Sequence, residues 1–133
     1  MAQANITLVQ SLYAAFGRGD IAVIAKAVTP EATWEIVGRG SDFPTLGRRQ
    51  GPAGVTDFFQ VVEQNLSFSE FSPKEFYAVE DKVFVLGHYA TTVKKTGKRF
   101  ASDWVHIFTI HGGKVVRFVE FTDTASAAAA YRG

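Results

Sequence analysis

The sequence predicts an α+β fold, in which three N-terminal helices cover one face of a curved antiparallel sheet. Apolar residues recur at helical spacing in the first half of the 133-residue chain. Alternating runs rich in β-branched and aromatic residues, separated by tight turns, fill the second half. Helices followed by consecutive strands are typical of α+β domains. The length suits one domain, so we assign residues 1–133 to a single domain.

Three helices are predicted in the first half. Residues 4–16 place apolar side chains on one helical face, and a shorter helix over residues 21–28 follows Asp20. The segment "GPAGVTDFFQVVEQNL" begins with Pro52 near a helix start and predicts the third. Between the last two helices, "ATWEIV" (32–37) predicts a short strand. The glycine-containing stretch 38–51 predicts a loop long enough to form a lid or an entrance.

Three strands, "DKVFVLGHYATTVKK", "KRFASDWVHIFTI" and "KVVRFVEFTD", predict an antiparallel meander, and an Ala-rich helix follows. A two-residue turn over 96–97 would pair Tyr89 with Trp104 and Gly87 with His106, and paired residues share a face. The face that holds these residues and Phe108 is the more aromatic one, so we expect it to be concave and covered by helices.

The second hairpin decides whether a carboxylate or a guanidinium faces inward. A three-residue His-Gly-Gly turn would pair His106 with Phe118 and place Glu120 inward, diagonal to His106, with Arg117 outside. A two-residue Gly-Gly turn would reverse the parity and point Arg117 inward. We favour the three-residue turn because it buries Phe118.

The outward-facing positions of these strands form an apolar patch that we expect to be a homodimer surface. It comprises Val105, Ile107, Val119 and Phe121.

Composition excludes several classes of protein. The net charge of +1 lacks the basic field of a nucleic-acid binder, and the absence of cysteine excludes disulfides and thiolate chemistry. No apolar run is long enough to span a membrane, and no signal peptide is recognisable, so we expect a cytoplasmic protein. The three histidines are scattered, so we expect no metal site.

Four segments carry a family resemblance over essentially the whole chain. They are "VQSLYAAFGRGD", "ATWE", "LGRRQGPAGVTDFF" and "TGKRFASDWVHIFTIHGGKVVRFVEFTDTA". The chain resembles the SnoaL-like branch of the nuclear transport factor 2-like superfamily, which includes ketosteroid isomerase, polyketide cyclases and limonene epoxide hydrolase. The resemblance implies a cone-shaped sheet and helices that enclose an apolar cavity, but it does not fix the reaction.

The resemblance also implies where chemistry would lie. Ketosteroid isomerase uses an Asp base with a Tyr and a protonated Asp. A hand alignment places Leu12 at the Tyr position, Ile36 at the base position and His106 at the protonated Asp, so steroid isomerisation by that mechanism is not expected. The epoxide hydrolase Asp-Arg-Asp set has no clear match. The cyclase branch uses an acidic residue on a late strand, and Glu120 resembles it.

We therefore predict that Glu120 and His106 transfer protons on a small hydrophobic carbonyl compound, without a cofactor. A pair that merely orders the sheet is the structural alternative, and a non-catalytic ligand-binding protein or a dimeric adaptor are the alternative functions. For Asp123, helix capping competes with ligand contact. The predicted substrate-binding residues are Tyr13, Trp34, Tyr89, Trp104, Phe108, Phe118 and Asp123.

Overall fold

A computed structural model describes residues 2–132 and confirms the α+β class. The helices are α1 (Ala2–Gly17), α2 (Ile21–Lys26), α3 (Gly51–Asn65) and α4 (Thr124–Tyr131). The strands are β1 (Val28–Ile36), β2 (Gly47–Gln50), β3 (Leu66–Val79), β4 (Lys82–Val93), β5 (Arg99–His111) and β6 (Lys114–Thr122).

The six strands form one curved, unclosed sheet in the order β2-β1-β6-β5-β4-β3. All neighbouring strands run antiparallel except β1 and β6, which are parallel. The helices pack on the concave face, where the buried core contains aromatic residues from both layers. None of the helices within residues 2–132 is both long and apolar enough to cross a membrane.

The segment predicted as a loop over 38–51 contains an unexpected strand. Residues Gly47–Gln50 pair antiparallel with β1, with Trp34 opposite Arg49. This edge strand is only four residues long and has no apolar alternation, so its sequence carries no strand signal. The second helix also ends earlier than predicted, at Lys26, because β1 already begins at Val28.

The first hairpin has the predicted faces but a different register. A four-residue loop replaces the two-residue turn, and the Val93 N–H donates to the Lys98 carbonyl across its base at 2.8 Å. Tyr89 therefore pairs with Ser102, and Gly87 pairs with Trp104. The register moved by two residues, and an even shift leaves every side chain on its predicted face.

The second hairpin reaches the predicted parity by another route. Its turn has two residues, Gly112 and Gly113, with φ values of 57° and 76°, so the predicted three-residue turn is wrong. The pairing then shifts by one residue between the Ile110–Val115 and Thr109–Arg117 pairs, which makes Val116 a β-bulge.

The shorter turn alone would have pointed Arg117 towards the concave face, but the extra residue of the bulge restores the predicted faces. Glu120 pairs directly with His106 and Phe118 with Phe108, rather than His106 with Phe118 as predicted. Glu120 lies on the concave face and Arg117 is exposed, as we predicted for the favoured turn.

A candidate acid–base site in an apolar cavity

The concave face of the sheet and helices α1 and α3 enclose a cavity of about 80 Å³. Its wall is overwhelmingly apolar. Seven of the predicted site residues line it: Tyr13, Trp34, Tyr89, His106, Phe108, Phe118 and Glu120.

Two short hydrogen bonds join three of these residues into a chain. The Tyr13 hydroxyl lies 2.7 Å from Nδ1 of His106, and Nε2 of His106 lies 2.8 Å from Oε1 of Glu120. Tyr13 comes from α1, His106 from β5 and Glu120 from β6, so the chain exists only in the folded protein. Sequence reasoning paired His106 with Glu120 but missed that Tyr13 completes the set.

The protonation of His106 decides which way the hydrogens point. A neutral imidazole satisfies both bonds in one tautomer only, in which Tyr13 donates to Nδ1 and Nε2–H donates to Glu120. A protonated imidazole donates from both nitrogens, and the Tyr13 hydroxyl hydrogen is then free to point into the cavity. In both states the imidazole donates to the Glu120 carboxylate.

Electrostatics keep the Tyr13 phenol protonated. Burial raises its pKa well above the usual value, and the negative charge of Glu120 raises it further. Tyr13 therefore acts in this chain as a neutral hydroxyl. Its ring also lies nearly parallel to the imidazole, at 11° and 5.9 Å between centroids.

The Glu120 carboxylate is largely buried at the cavity wall. The side chain of Glu120 is 13% exposed and that of His106 is 5% exposed. Oε1 is taken by the imidazole, and within residues 2–132 the carboxylate makes no second hydrogen bond. Its other oxygen is thus free for a group held in the cavity.

The imidazole of His106 packs against an aromatic ring. The Trp104 indole stacks on His106 at 3.8 Å between centroids, and it can do so because Gly87 lies opposite Trp104 on β4. A Cβ on Gly87 would stand 2.3 Å from the indole ring. Trp104 therefore helps to orient the His106 ring by packing against it. It was predicted as a substrate-binding residue, but it is not among the residues that form the cavity wall.

Asp123 caps helix α4. Its carboxylate accepts hydrogen bonds from the Ser126 amide at 3.0 Å and the Ser126 hydroxyl at 2.7 Å. These bonds lower its pKa. Asp123 does not line the cavity, so its contact with a ligand stays a prediction, whereas the alternative capping role is observed.

The Tyr89 hydroxyl belongs to a second series of hydrogen bonds. The Thr122 hydroxyl donates to Ser102 Oγ at 2.9 Å, and the Ser102 hydroxyl donates to the Asp103 carbonyl at 2.6 Å. Tyr89 must therefore donate to Thr122, 3.0 Å away, since the Thr122 hydrogen is already used. Towards the cavity, Tyr89 offers only an acceptor.

Two residues of the cavity wall each carry a buried polar atom that the sequence analysis did not consider. The Trp34 indole N–H and the Tyr131 hydroxyl are buried without a hydrogen-bond partner among the described residues. Tyr131 was not predicted at all, although it follows Ala127 and Ala128 at the helical spacing of a buried face. Leaving such a group unpaired costs about 1–3 kcal/mol.

The positions aligned with the ketosteroid isomerase Tyr and base are apolar parts of the cavity wall. Leu12 and Ile36 both line it. Within residues 2–132, no three histidine, aspartate or glutamate side chains lie close enough together to hold a metal ion. The polar chemistry of this cavity therefore centres on the chain that ends at Glu120.

Comparison with known proteins agrees with the observed fold. The family model of the SnoaL-like domain matches residues 9–118. A search of curated proteins found no significant match.

Solved structures share the fold over nearly the whole chain. An NTF2-like protein from Burkholderia xenovorans is 31% identical, with a TM-score of 0.88 and coverage of 98% of this chain and 97% of that one. An NTF2-like protein from Burkholderia thailandensis is 26% identical, with a TM-score of 0.87 and coverage of 97% and 98%. TerC, co-crystallised with polyporic acid, is 26% identical, with a TM-score of 0.85 and coverage of 98% and 99%.

Proposed function

We propose that this chain, which belongs to the SnoaL-like family, binds a small apolar carbonyl compound in its cavity and transfers a proton on it without a cofactor. One observation carries the proposal: the hydrogen-bonded chain Tyr13–His106–Glu120 ends in a carboxylate that faces an apolar cavity. A general base must lie within hydrogen-bond reach of the proton that it abstracts. Exclusion of bulk water from the site strengthens its electrostatic interactions with the substrate.

The proposed step is abstraction of a proton from the carbon next to the carbonyl. The free oxygen of Glu120 takes the proton, the C–H electron pair forms the C=C bond of an enolate, and the carbonyl oxygen receives the negative charge. In a β,γ-unsaturated ketone the product of this step is a dienolate, and return of the proton from Glu120 to its γ carbon re-forms the carbonyl and gives isomerisation. In a compound with a second carbonyl group, the enolate carbon attacks that carbonyl carbon, the first C=O bond re-forms, and the new alkoxide takes the proton from Glu120, which gives cyclisation. His106 holds the carboxylate in place, and Tyr13 holds His106.

Relatives support binding of a small molecule. TerC, 26% identical over nearly its whole length, was crystallised with polyporic acid. The same fold in this chain surrounds a cavity whose wall is aromatic and aliphatic. Such walls suit a carbon skeleton with few polar groups.

Exchange of ketone α-protons in D₂O tests the proposal without knowledge of the natural substrate. We expect wild-type protein to accelerate deuterium incorporation into cyclohexanone, followed by proton NMR. Glu120→Gln should lower the protein-dependent rate by at least about 100-fold, in line with loss of a general base. Glu63→Gln on α3, which is exposed, is the matched control and should keep the rate. Equal rates for wild-type and Glu120→Gln would refute the assignment.

A non-catalytic ligand-binding protein is the second candidate, and the apolar wall favours it equally. The same samples separate the two functions. A protein that binds cyclohexanone but does not accelerate exchange at any pH between 6 and 9 would be a binding module.

We also propose that the chain forms a homodimer through the outer sheet face. Phe121 is 46% exposed and Leu86 is 37% exposed, and Val105 and Ile107 are half-buried on the same face. Val119, predicted as part of this patch, is itself buried between its neighbours. Sedimentation at micromolar concentration should show a dimer that Phe121→Glu dissociates. A monomeric wild-type protein would contradict this interface.

A further inference from the structure

Among the described residues, only two that line the cavity lie outside the helices and strands. They are Phe43 and Thr45, in the segment of residues 38–46 between β1 and β2. Every other residue of the wall belongs to a helix or a strand, which cannot move away without breaking its regular backbone hydrogen bonds. The segment 38–46 is therefore the part of the wall that can move at the lowest cost.

The backbone of this segment bonds only to itself. The Asp42 N–H donates to the Arg39 carbonyl at 2.9 Å, and the Leu46 N–H donates to the Phe43 carbonyl at 3.3 Å. Within residues 2–132, no backbone hydrogen bond joins residues 38–46 to another element. The segment is thus a compact unit that side-chain contacts hold in place.

The two ends of the segment are anchored next to each other. The Val37 N–H donates to the Glu120 carbonyl at 3.1 Å just before the segment, and Gly47, just after it, pairs with Ile36. A surface loop whose ends lie side by side can swing about them as one body. Such a movement leaves the pairing of β1, β2 and β6 intact.

The Arg49 guanidinium joins the segment to helix α3. Its Nη1 donates to the Thr45 carbonyl at 3.3 Å, and its Nη2 donates to the Pro44 carbonyl at 3.2 Å. Its Nε donates to Oδ2 of Asp57 on α3 at 3.4 Å, and its Cζ lies 5.4 Å from the centre of the Phe58 ring. One cation therefore holds two successive carbonyls of the segment against the helix.

Burial sets Arg49 apart from its neighbour on the same strand. The side chain of Arg49 is 15% exposed, whereas that of Arg48 is 65% exposed. Charged side chains are seldom buried unless they are paired. The pairing of Arg49 is spent on the segment and on α3.

On its other side the segment packs against helix α4. The Phe43 ring stacks on the Tyr131 ring, at 5.1 Å between centroids and 11° between planes. The segment thus bridges α3 and α4 through one cation and one aromatic stack, and both contacts can separate without unfolding either helix.

We infer that residues 38–46 are a gate to the cavity, which opens about its paired ends and is held closed by Arg49 and by the stack of Phe43 on Tyr131. The closed gate completes the wall with Phe43 and Thr45, and opening removes both side chains from it. The inference requires only that molecules enter the cavity, so it holds whether or not Glu120 is a general base.

A single introduced thiol tests the role of Arg49, because the chain contains no cysteine. Leu12 lines the cavity from α1 and is 4% exposed. We expect Leu12→Cys to react with methyl methanethiosulfonate at least about threefold faster when it is combined with Arg49→Met, since loss of a net hydrogen bond shifts an equilibrium by roughly twofold to tenfold. Arg48→Met is the matched control and should leave the rate unchanged. Equal rates with Arg49→Met and Arg48→Met would overturn the inference. Ile36→Cys, also on the wall, replaces Leu12→Cys if that variant does not fold.

Dependence on urea separates gate opening from unfolding of the whole protein. Val83 is fully buried and does not line the cavity, so a thiol in Val83→Cys reacts only after unfolding. Opening of a nine-residue segment exposes little surface, so the rate for Leu12→Cys should change little in low urea, whereas that for Val83→Cys should rise steeply. Equal rates and equal urea dependence for the two thiols would show that the cavity opens only by unfolding, and would refute the gate.

Discussion

Removal of a single hydroxyl, by Tyr13→Phe, should destabilise the protein measurably. The phenol ring and its stack on His106 remain, but Nδ1 of the buried imidazole loses its only described partner. A buried polar group without its bond costs about 1–3 kcal/mol of the free energy of unfolding. With a urea m-value of about 1–3 kcal/mol/M, the unfolding midpoint should fall by roughly 0.3–3 M.

Urea denaturation followed by circular dichroism measures this change, and Tyr77→Phe is the control. Tyr77 is 52% exposed, so its loss of a hydroxyl should change the free energy of unfolding by less than about 0.5 kcal/mol. A cycle with Glu120→Gln should give a coupling energy of about 0.5 kcal/mol or more, because both residues bond to His106. Equal midpoints for Tyr13→Phe and wild type would refute the hydrogen-bonded chain.

Three further substitutions test the packing of Trp104, the ionisation of Tyr131 and the cap of helix α4. Gly87→Ala should destabilise by about 1–3 kcal/mol or prevent folding, since the new Cβ would meet the Trp104 ring, whereas Gly17→Ala, which meets nothing within 4 Å, should be tolerated in thermal unfolding. Tyr131 ionises at a higher pH in the folded than in the unfolded protein, so stability should fall as pH rises from about 10 to about 12, and fall less in Tyr131→Phe. Asp123→Ala should cost about 0.5–2 kcal/mol at pH 7 through loss of the helix cap. Because its folded pKa is lowered, that difference should shrink as pH drops through the Asp range, and a constant difference would contradict the capping role.

The sequence predicted which side chains of the meander share a face of the sheet, because successive residues of a strand point to opposite faces. Tyr89, Trp104 and His106 alternate with polar or smaller residues, and that alternation survives a register shift of two residues. The length of the connecting loop depends on backbone hydrogen bonds around Val93, which no residue pattern specified.

The position of Glu120 was right although the predicted turn was wrong. Two adjacent glycines take positive φ and make the shorter turn, and the β-bulge at Val116 then restores the parity. A bulge has no side-chain signature here, because Val116 lies within a continuous apolar run. The burial of Phe118 was the useful signal, since only one parity could place it in the core.

Long-range partners were the least predictable part of the site. Tyr13 meets His106 across 93 residues of sequence, and Tyr131 reaches the cavity from a terminal helix that is otherwise mostly alanine. Nothing local marks either residue as part of a cavity wall. Only the packing of α1 and α4 against the concave face brings them there.

Long-range ¹H–¹⁵N NMR of the His106 imidazole tests the central claim most directly, since both hydrogen bonds of the chain meet on this ring. We expect one fixed pattern of ring nitrogens, with a proton on Nε2 that exchanges slowly with water and whose signal shifts in Glu120→Gln. The exposed His111, which bonds to Asp81 at the surface, should exchange rapidly in the same spectra. A His106 ring that exchanges as rapidly as His111 and is unaffected by Glu120→Gln would contradict the account.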